Sequence, residues 1–152
     1  MSDIGSTTLS NIISVCSSWN DQQITRFVRE ELGCGCPDEV FEQIERKQLS
    51  DIGGTDQSFR LLIGERLLIY LLQPMETTLL GQSIETWIAT GREDRDANGY
   101  NRFRLVVVMP DGTEAARITE LEKLFVTFAA DDEKLHLHLL EQSEIHSINR
   151  EV

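Results

Sequence analysis

The sequence has few prolines, cysteines and aromatic residues, and it has no long apolar run. Its 152 residues include three prolines and three cysteines, and 7% are aromatic. The longest apolar run, residues 67–72, is far shorter than the roughly 20 apolar residues that span a bilayer. Basic residues are also scarce, 14 against 26 acidic ones, and the formal charge of −12 repels phosphate backbones and anionic membranes. Neither nucleic acid nor a membrane is therefore an expected partner.

The signatures of several common enzyme classes are missing as well. The sequence contains no phosphate-binding P-loop, no dinucleotide-binding glycine motif, no H-E-x-x-H zinc motif and no G-x-S-x-G nucleophile motif. Its first fifteen residues include no basic residue, so a secretory signal is not expected. Three cysteines, an odd number, then favour free thiols in a reducing compartment, and we predict a cytoplasmic protein. Whether the protein is an enzyme stays open.

The size and composition indicate a single domain over residues 1–152, with an α+β fold. Apolar residues make up 40% and charged residues 26%, which is ordinary for a globular protein. Residues 1–56 have the apolar spacing of helices, residues 57–141 combine strands with two helices, and residues 142–152 are predicted as a polar tail. The expected order is three N-terminal helices followed by β-β-α-β-α-β. This order implies a four-stranded mixed sheet whose last three strands run parallel.

Helical spacing in the first half predicts the positions of the first two helices. The first covers residues 7–18 and carries Cys16 on its apolar face, where a small buried hydrophobe is the favoured interpretation. The second begins at a cap formed by Asn20 or Asp21 and ends at Gly33.

Strands and helices alternate in the second half. The apolar runs 59–63 and 66–72 predict an antiparallel hairpin with a type II′ turn that begins at Gly64. A helix over about residues 76–90 is expected to end near Gly91. The remaining predicted elements are a polar turn at 94–99, a strand over 102–109, a helix with the core stripe Ile118, Leu121, Phe125 and Phe128, and a strand over 135–140.

Two cysteines flank a glycine where the third helix is predicted to begin. In this interpretation Cys36 is the N-cap, Pro37 the first helical residue and Glu39 the capping-box acid, and the buried face is Val40, Phe41 and Ile44. A helix N-terminus favours the thiolate, by less than one pKa unit at an exposed site. The neighbouring acids oppose it, so strong activation is not expected; they are Glu30, Glu31, Asp38 and Glu39.

Three interpretations of Cys34 and Cys36 remain open from the sequence. Gly35 permits the turn that a disulfide between them needs, and such a bond would be readily reduced, as in a redox pair. Two thiolates would also suit a soft or borderline metal such as zinc, which needs two further donors. Alternatively, the cysteines are unreactive residues at a corner between two helices.

His136 and His138 are candidates for those further donors. They are spaced i and i+2 on a predicted strand, so both side chains project from one face and could complete a Cys₂His₂ zinc set with Cys34 and Cys36. Simple alternation with Leu135, Leu137 and Leu139 favours a different interpretation, in which they are polar residues on the exposed face of an edge strand.

The segment L-G-C-G-C-P-D-E-V-F at residues 32–41, followed by L-I-G-E-R-L-L-I-Y at residues 62–70, resembles small uncharacterised prokaryotic proteins with a C-x-C-P-x-E-V-F segment. The resemblance covers about a third of the chain. It implies no activity, so it assigns no role to any residue.

Two functional hypotheses follow. In the first, the protein is a small acidic dithiol module that binds a soft metal or exchanges thiols through Cys34 and Cys36. In the second, it is a non-catalytic interaction or adaptor domain whose acidic surface contacts a protein partner and whose cysteines are structural.

Overall fold

The computed structural model describes residues 16, 18–49, 52–53, 55–74 and 80–150, and it has the predicted α+β architecture. A five-stranded mixed sheet has its strands side by side in chain order. The strands are β1 (Ile44–Gln48), β2 (Thr55–Ile63), β3 (Leu67–Pro74), β4 (Arg102–Met109) and β5 (Leu135–Glu141). The α-helices are α1 (Asp21–Arg26), which continues as a π-helical turn (Phe27–Glu31), α2 (Leu80–Asn98), α3 (Ala115–Ala129) and α4 (Gln142–Arg150).

The strand pairing confirms the predicted hairpin and the predicted parallel strands. β1 and β3 both pair antiparallel with β2, whereas β4 pairs parallel with β3 and β5 pairs parallel with β4. In this register Leu67 lies opposite Arg102, and Arg104 lies opposite His136. Residues from three strands therefore meet where β3, β4 and β5 begin.

The sheet separates two hydrophobic cores, because successive side chains of a strand point to opposite faces. One face packs against α1 and α4, and its core includes Phe27, Leu61, Ile69, Val106 and Ile145. The other face packs against α2 and α3, and its core includes Trp87, Phe103, Leu105, Val107 and Leu121. Burial of the Val106–Val108 run on both faces is thus confirmed.

The second predicted helix is confirmed at both ends. Asn20 is its N-cap, and the Asn20 side chain accepts a hydrogen bond from the Gln23 backbone N–H while the Gln23 side chain accepts one from the Asn20 N–H, a reciprocal capping box. After the π-helical turn Gly33 adopts a positive φ of 68°, and the Cys34 N–H then donates to the Val28 carbonyl at 3.1 Å. The helix end therefore sets the position of the cysteine segment.

The third predicted helix is wrong, and a fifth strand forms in its place. Pro37 has extended backbone (φ −68°, ψ 157°) and precedes a short 3₁₀ turn, Asp38–Glu42, after which the chain enters β1. Phe41 is buried as predicted, while Ile44 begins a strand that pairs with Ile63 of β2. Hydrogen bonds to β2 provide partners for the backbone groups on one side of this edge segment, and the spacing of apolar residues in the sequence does not reveal such a distant partner. The sheet therefore has five strands rather than four, and β1 lies within the half assigned to helices.

The hairpin between β2 and β3 has a different turn from the one expected. Gly64 and Glu65 both have positive φ, 60° and 57°, and the Arg66 N–H donates to the Ile63 carbonyl at 3.1 Å. Positive φ at both central residues defines a type I′ turn, whereas type II′ needs it only at the first. The Gly64 N–H also donates to the Gln43 carbonyl at 2.7 Å, so the hairpin is attached to the segment that follows the cysteines.

Helix α2 continues through Gly91 instead of ending there. A Cβ at Gly91 would lie 1.9 Å from Cζ of Phe103, so glycine is present because the Phe103 ring of β4 packs directly against the helix backbone. The helix ends at Asn98, and Gly99 follows with a φ of 73°. The predicted polar turn at 94–99 is therefore mostly the last helical turn.

The C-terminal segment is also helical up to Arg150 rather than a polar tail. Ile145 and Ile148 of α4 are buried against the same core as α1. The predicted first helix, residues 7–18, lies outside the described residues except for Cys16 and Ser18; Cys16 is buried as predicted, and burial raises the pKa of its thiol. Among the described residues, no helix has the length and apolar character needed to cross a membrane.

Candidate functional site

Cys34 and Cys36 are joined by a disulfide, with their Cα atoms 5.5 Å apart. Both residues are half-buried, and Gly35 between them is exposed. The Arg29 guanidinium donates to the Cys36 carbonyl at 3.1 Å, which complements the bond from the Cys34 N–H to Val28. One backbone hydrogen bond and one bond from the Arg29 side chain thus hold the two ends of the short loop independently of the sulfurs.

The surroundings of the cysteines differ from those expected for a helix N-terminus. The residues after Pro37 form only a short 3₁₀ turn, so no aligned helix of useful length points at the sulfurs. Asp38, one of the acids expected to oppose thiolate formation, forms an ion pair with Arg29, and the Arg29 guanidinium lies 4.9 Å from the centre of the Phe41 ring. Neither the expected helix dipole nor an unpaired Asp38 therefore acts on the cysteines.

A cavity of about 490 Å³ lies beside the disulfide. The cysteine segment and Val40 line one part of it, and the beginnings of β3, β4 and β5 line another. The second part is mainly polar and basic, and its members are Arg66, Asn101, Arg102, Arg104 and His136. The structure therefore brings Cys34 and Cys36 to the same cavity as His136, which lies about a hundred residues later in the chain.

The alternation of β4 explains why cations face this cavity. Arg102, Arg104 and Val106 are spaced two apart and share one face of the strand, and Val106 belongs to the core beneath α1. On β5 the register places His136 beside Arg104 and His138 beside Val106. This sheet face is therefore basic where the parallel strands begin and apolar further along.

Arg104 is fixed by contacts with two other elements. Its Nη1 donates to the Leu32 carbonyl at 2.8 Å and lies 2.8 Å from Nε2 of His138. Because Nη1 can only donate, Nε2 of His138 accepts and the imidazole is neutral. Burial, reinforced by Arg104, lowers the pKa of His138 to about 4. The pKa values of His136 and Arg104 are also lowered, in both cases chiefly by burial and further by neighbouring arginines.

The positive charge at the cavity has no carboxylate partner among the residues that the structure describes. Other arginines of the described residues do form ion pairs with carboxylates, namely Arg29, Arg46, Arg60, Arg92 and Arg95. Arg66, Arg102 and Arg104 make no such pair, although the whole chain carries a formal charge of −12. Three arginines without an ion-pair partner in the described part of the chain thus lie beside the disulfide, and the nearby Glu39 and Glu42 share a neighbouring groove with Arg66 but form no ion pair with it.

The structure changes the expectations for the two histidines. His136 and His138 share one face of the edge strand β5, as predicted, but both are half-buried instead of lying on an exposed face. His138 contacts Arg104 through Nε2. Within the described ranges, no three or more His, Cys, Asp or Glu side chains are grouped so that they could hold a metal ion.

The three cavity arginines were not identified from the sequence. A signal was present, because Arg102 and Arg104 occupy alternate positions that continue into Val106 and Val108 on a strand expected to be buried. Basic side chains on the inward face of such a strand need a polar environment or a ligand. Arg66, in the hairpin, gave no comparable signal.

No family model, curated protein or solved structure matches this chain. The function is therefore inferred from the cavity itself, in which a disulfide lies beside three arginines and a histidine.

Proposed function

We propose that this protein is a thiol–disulfide exchange module in which Cys34 and Cys36 cycle between a disulfide and a dithiol. The observation that carries the proposal is the position of the disulfide: it is half-buried in a short loop that borders an open cavity of about 490 Å³. A small thiol could reach the sulfurs through this cavity. We also propose a cytoplasmic location, where thiol reductants are abundant.

A structural role for the disulfide receives little support from its loop. The two cysteines are separated by two positions. In the chain-entropy model a three-residue loop contributes about 1.6 kcal/mol of stability, compared with about 3 kcal/mol for a fifteen-residue loop. Hydrogen bonds to Val28 and Arg29 already hold the loop. A bond that adds little to folding is better suited to repeated opening.

The exchange needs only a thiol as the second reactant. The thiolate of the partner attacks one of the two sulfurs, the bond between Cys34 and Cys36 breaks, and the other cysteine leaves as a thiolate. A second partner thiolate then attacks the partner's sulfur in the mixed disulfide and releases the remaining cysteine. The net reaction oxidises two partner thiols to one disulfide and reduces the protein disulfide to two thiols, so that two electrons and two protons are transferred.

The charges around the cavity favour this reaction. Breaking the disulfide produces a cysteine thiolate, and positive charge nearby stabilises a thiolate relative to the thiol. Arg66, Arg102 and Arg104 supply that charge. Asp38 opposes it less than its position in the sequence implies, because it is paired with Arg29.

The proposal is tested by equilibrating the protein in glutathione buffers of graded redox potential and trapping free thiols with an alkylating reagent. The mass of the alkylated protein is then measured by mass spectrometry. We expect a single two-electron transition within the range of physiological glutathione buffers. The reduced protein should carry two more alkyl groups than the oxidised protein. The double variant Cys34→Ser/Cys36→Ser should lose the transition, and Cys16→Ala should retain it. Exchange is ruled out if Cys34 and Cys36 stay reduced in the most oxidising buffer or stay bonded in the most reducing one.

A further inference from the structure

We infer that the cavity beside the disulfide is a binding site for the carboxylate of a small anionic thiol, held by Arg66, Arg102 and Arg104. This inference rests on the proposed exchange function and names its substrate class. The carboxylate would occupy the basic part of the cavity, while the thiol of the same molecule would reach Cys34 or Cys36.

The arginines of the cavity lack carboxylate partners. Three guanidinium groups line one cavity, and none of them pairs with a carboxylate in the part of the chain that the structure describes. Elsewhere in those residues arginines do find carboxylates, as in the pairs of Arg60 with Asp94 and of Arg95 with Asp132. A bound anion would provide the missing partner and would relieve the repulsion between Arg102 and Arg104.

The Arg104 guanidinium is fixed by side-chain contacts, and the other two arginines are linked through their backbones. Arg104 is anchored to Leu32 and His138, each at 2.8 Å. The Arg102 N–H donates to the Arg66 carbonyl at 3.1 Å, so the backbones that carry two of the guanidinium groups are bonded to each other. Guanidinium groups present paired donors that match the two oxygens of a carboxylate, and prior positioning reduces the entropy lost on binding.

The cavity has the size and composition of a small-molecule site. A volume of about 490 Å³ lies within the range of small-molecule sites, roughly 300 to 1,000 Å³. Leu67 and Val40 add apolar surface that can contact the carbon chain between the two functional groups. His136 is partly buried at the same site, and its lowered pKa keeps it neutral at pH 7, so it adds a hydrogen-bonding ring rather than a fourth charge. A small, singly or doubly charged thiol fits these features.

The test compares three thiols of similar size as reductants of the oxidised protein. They are 3-mercaptopropionate, which is anionic, 2-mercaptoethanol, which is neutral, and cysteamine, which is cationic. Each rate constant is divided by that of the same thiol with a neutral small-molecule disulfide, which removes differences in thiol pKa and nucleophilicity. At low ionic strength we expect the anionic thiol to be favoured over the neutral one by roughly tenfold and the cationic thiol to be disfavoured, with both effects decreasing as salt is added.

Variants locate the effect at the cavity. Arg66→Gln and Arg102→Gln, both at exposed positions, should each reduce the ratio of the 3-mercaptopropionate rate to the 2-mercaptoethanol rate by roughly threefold or more, because a loss of thiolate stabilisation lowers both rates alike and cancels in the ratio. Lys123→Gln removes the same charge from an exposed position on α3, which packs on the other sheet face, and should change neither rate. Equal normalised rates for the three thiols, or an equal loss in the Lys123 variant, would overturn the inference while leaving exchange intact.

A separate measurement does not depend on exchange. Succinate, which has carboxylates but no thiol, is titrated into the isotope-labelled oxidised protein while backbone amide and arginine side-chain NMR signals are recorded. We expect saturable shifts at Arg102, Arg104 and Gly35 that are absent in Arg102→Gln. If these signals do not move, the carboxylate site is refuted even where the disulfide exchanges; if they move and no thiol reduces the disulfide, the site stands and the exchange proposal fails.

Discussion

Arg104 and His138 meet across β4 and β5, with Nη1 of the arginine 2.8 Å from Nε2 of the histidine. The same nitrogen donates to the carbonyl of Leu32, 72 residues earlier in the chain. One guanidinium group therefore connects the end of the first helical segment, from which the disulfide loop emerges, to the sheet that supplies the basic part of the cavity. A neutral His138 is part of this arrangement, because a protonated ring would place two donors against each other.

The state of His138 predicts how stability depends on pH. Its pKa is lowered from 6.5 to about 4 in the folded protein, so the unfolded chain binds more protons between these values. The stabilisation by neutral His138 is fully present above about pH 6.5 and is lost as the pH falls towards 4. After allowance for solvent screening, we expect a loss of about 2 kcal/mol.

Urea denaturation of the native protein and of His138→Gln at a series of pH values between 7 and 4 measures this contribution. The variant retains a side chain that can accept from Arg104 but does not titrate, so its free energy of unfolding should fall less steeply over the interval. Equal slopes for the two proteins would contradict the assignment of a neutral, buried His138.

The disulfide is expected to contribute little to folding. The double variant Cys34→Ser/Cys36→Ser should lower the free energy of unfolding by no more than about 2 kcal/mol, because the loop is short and is held by hydrogen bonds to Val28 and Arg29. Cys16→Ser, which places a hydroxyl in the core, is the comparison and should cost about as much or more. A loss above 4 kcal/mol in the double variant, measured by urea denaturation, would indicate a structural disulfide.

Asp94 is expected to be a structural carboxylate. It accepts two hydrogen bonds from Arg60, at 2.8 and 3.0 Å, and one from the Tyr70 hydroxyl at 2.7 Å. Burial opposes its ionisation, but these hydrogen bonds outweigh burial and lower the pKa of Asp94. Asp94→Asn should therefore lower the free energy of unfolding by about 3 kcal/mol at pH 7, since it leaves the Arg60 charge without its partner.

The matched control is Asp96→Asn, two residues along the same helix, where the carboxylate is mostly exposed and the expected loss is below about 1 kcal/mol. Because the pKa of Asp94 is lowered, its contribution is complete above its ordinary value of 3.8 and disappears as the pH falls further. The difference between the two variants should accordingly shrink when denaturation is repeated near pH 3. A difference between the two variants that is as large at pH 3 as at pH 7 would argue against the ionised pair.

Gly91 provides a test of packing on the other side of the sheet. Replacing glycine by alanine within a helix normally stabilises it by up to about 1 kcal/mol. Here the added methyl group would overlap the Phe103 ring, since a Cβ would lie 1.9 Å from Cζ. Gly91→Ala should therefore destabilise the protein by about 1 to 3 kcal/mol. In a thermal denaturation double-mutant cycle with Phe103→Leu, the second substitution should recover part of this loss; additive effects would show that the two residues do not interact.

Local patterns in the sequence were sufficient to predict most of the sheet and the helices that have strong caps or strong stripes. The predicted cap at Asn20 or Asp21 locates the start of α1, where Asn20 is the observed N-cap, and the apolar runs on either side of Gly64 define the central hairpin. The patterns failed where a distant partner decides the local conformation. Residues 44–48 form a strand because β2 offers an unpaired edge, and Gly91 lies inside α2 rather than at its end because the Phe103 ring packs against the helix backbone at this residue.

The sequence by itself determined which side chains share a face. The spacing of Arg102 with Arg104 and of His136 with His138 requires that each pair project from one side of its strand, whatever the fold. Only the tertiary structure decided what lies against that side. The cysteine loop lies against that side of the sheet because of contacts such as that of Arg104 with Leu32, which are 72 positions apart. The free energy of such contacts depends on the packing of the whole chain rather than on neighbouring residues. The disulfide could therefore be suggested from Cys34, Gly35 and Cys36, but the basic cavity beside it could not.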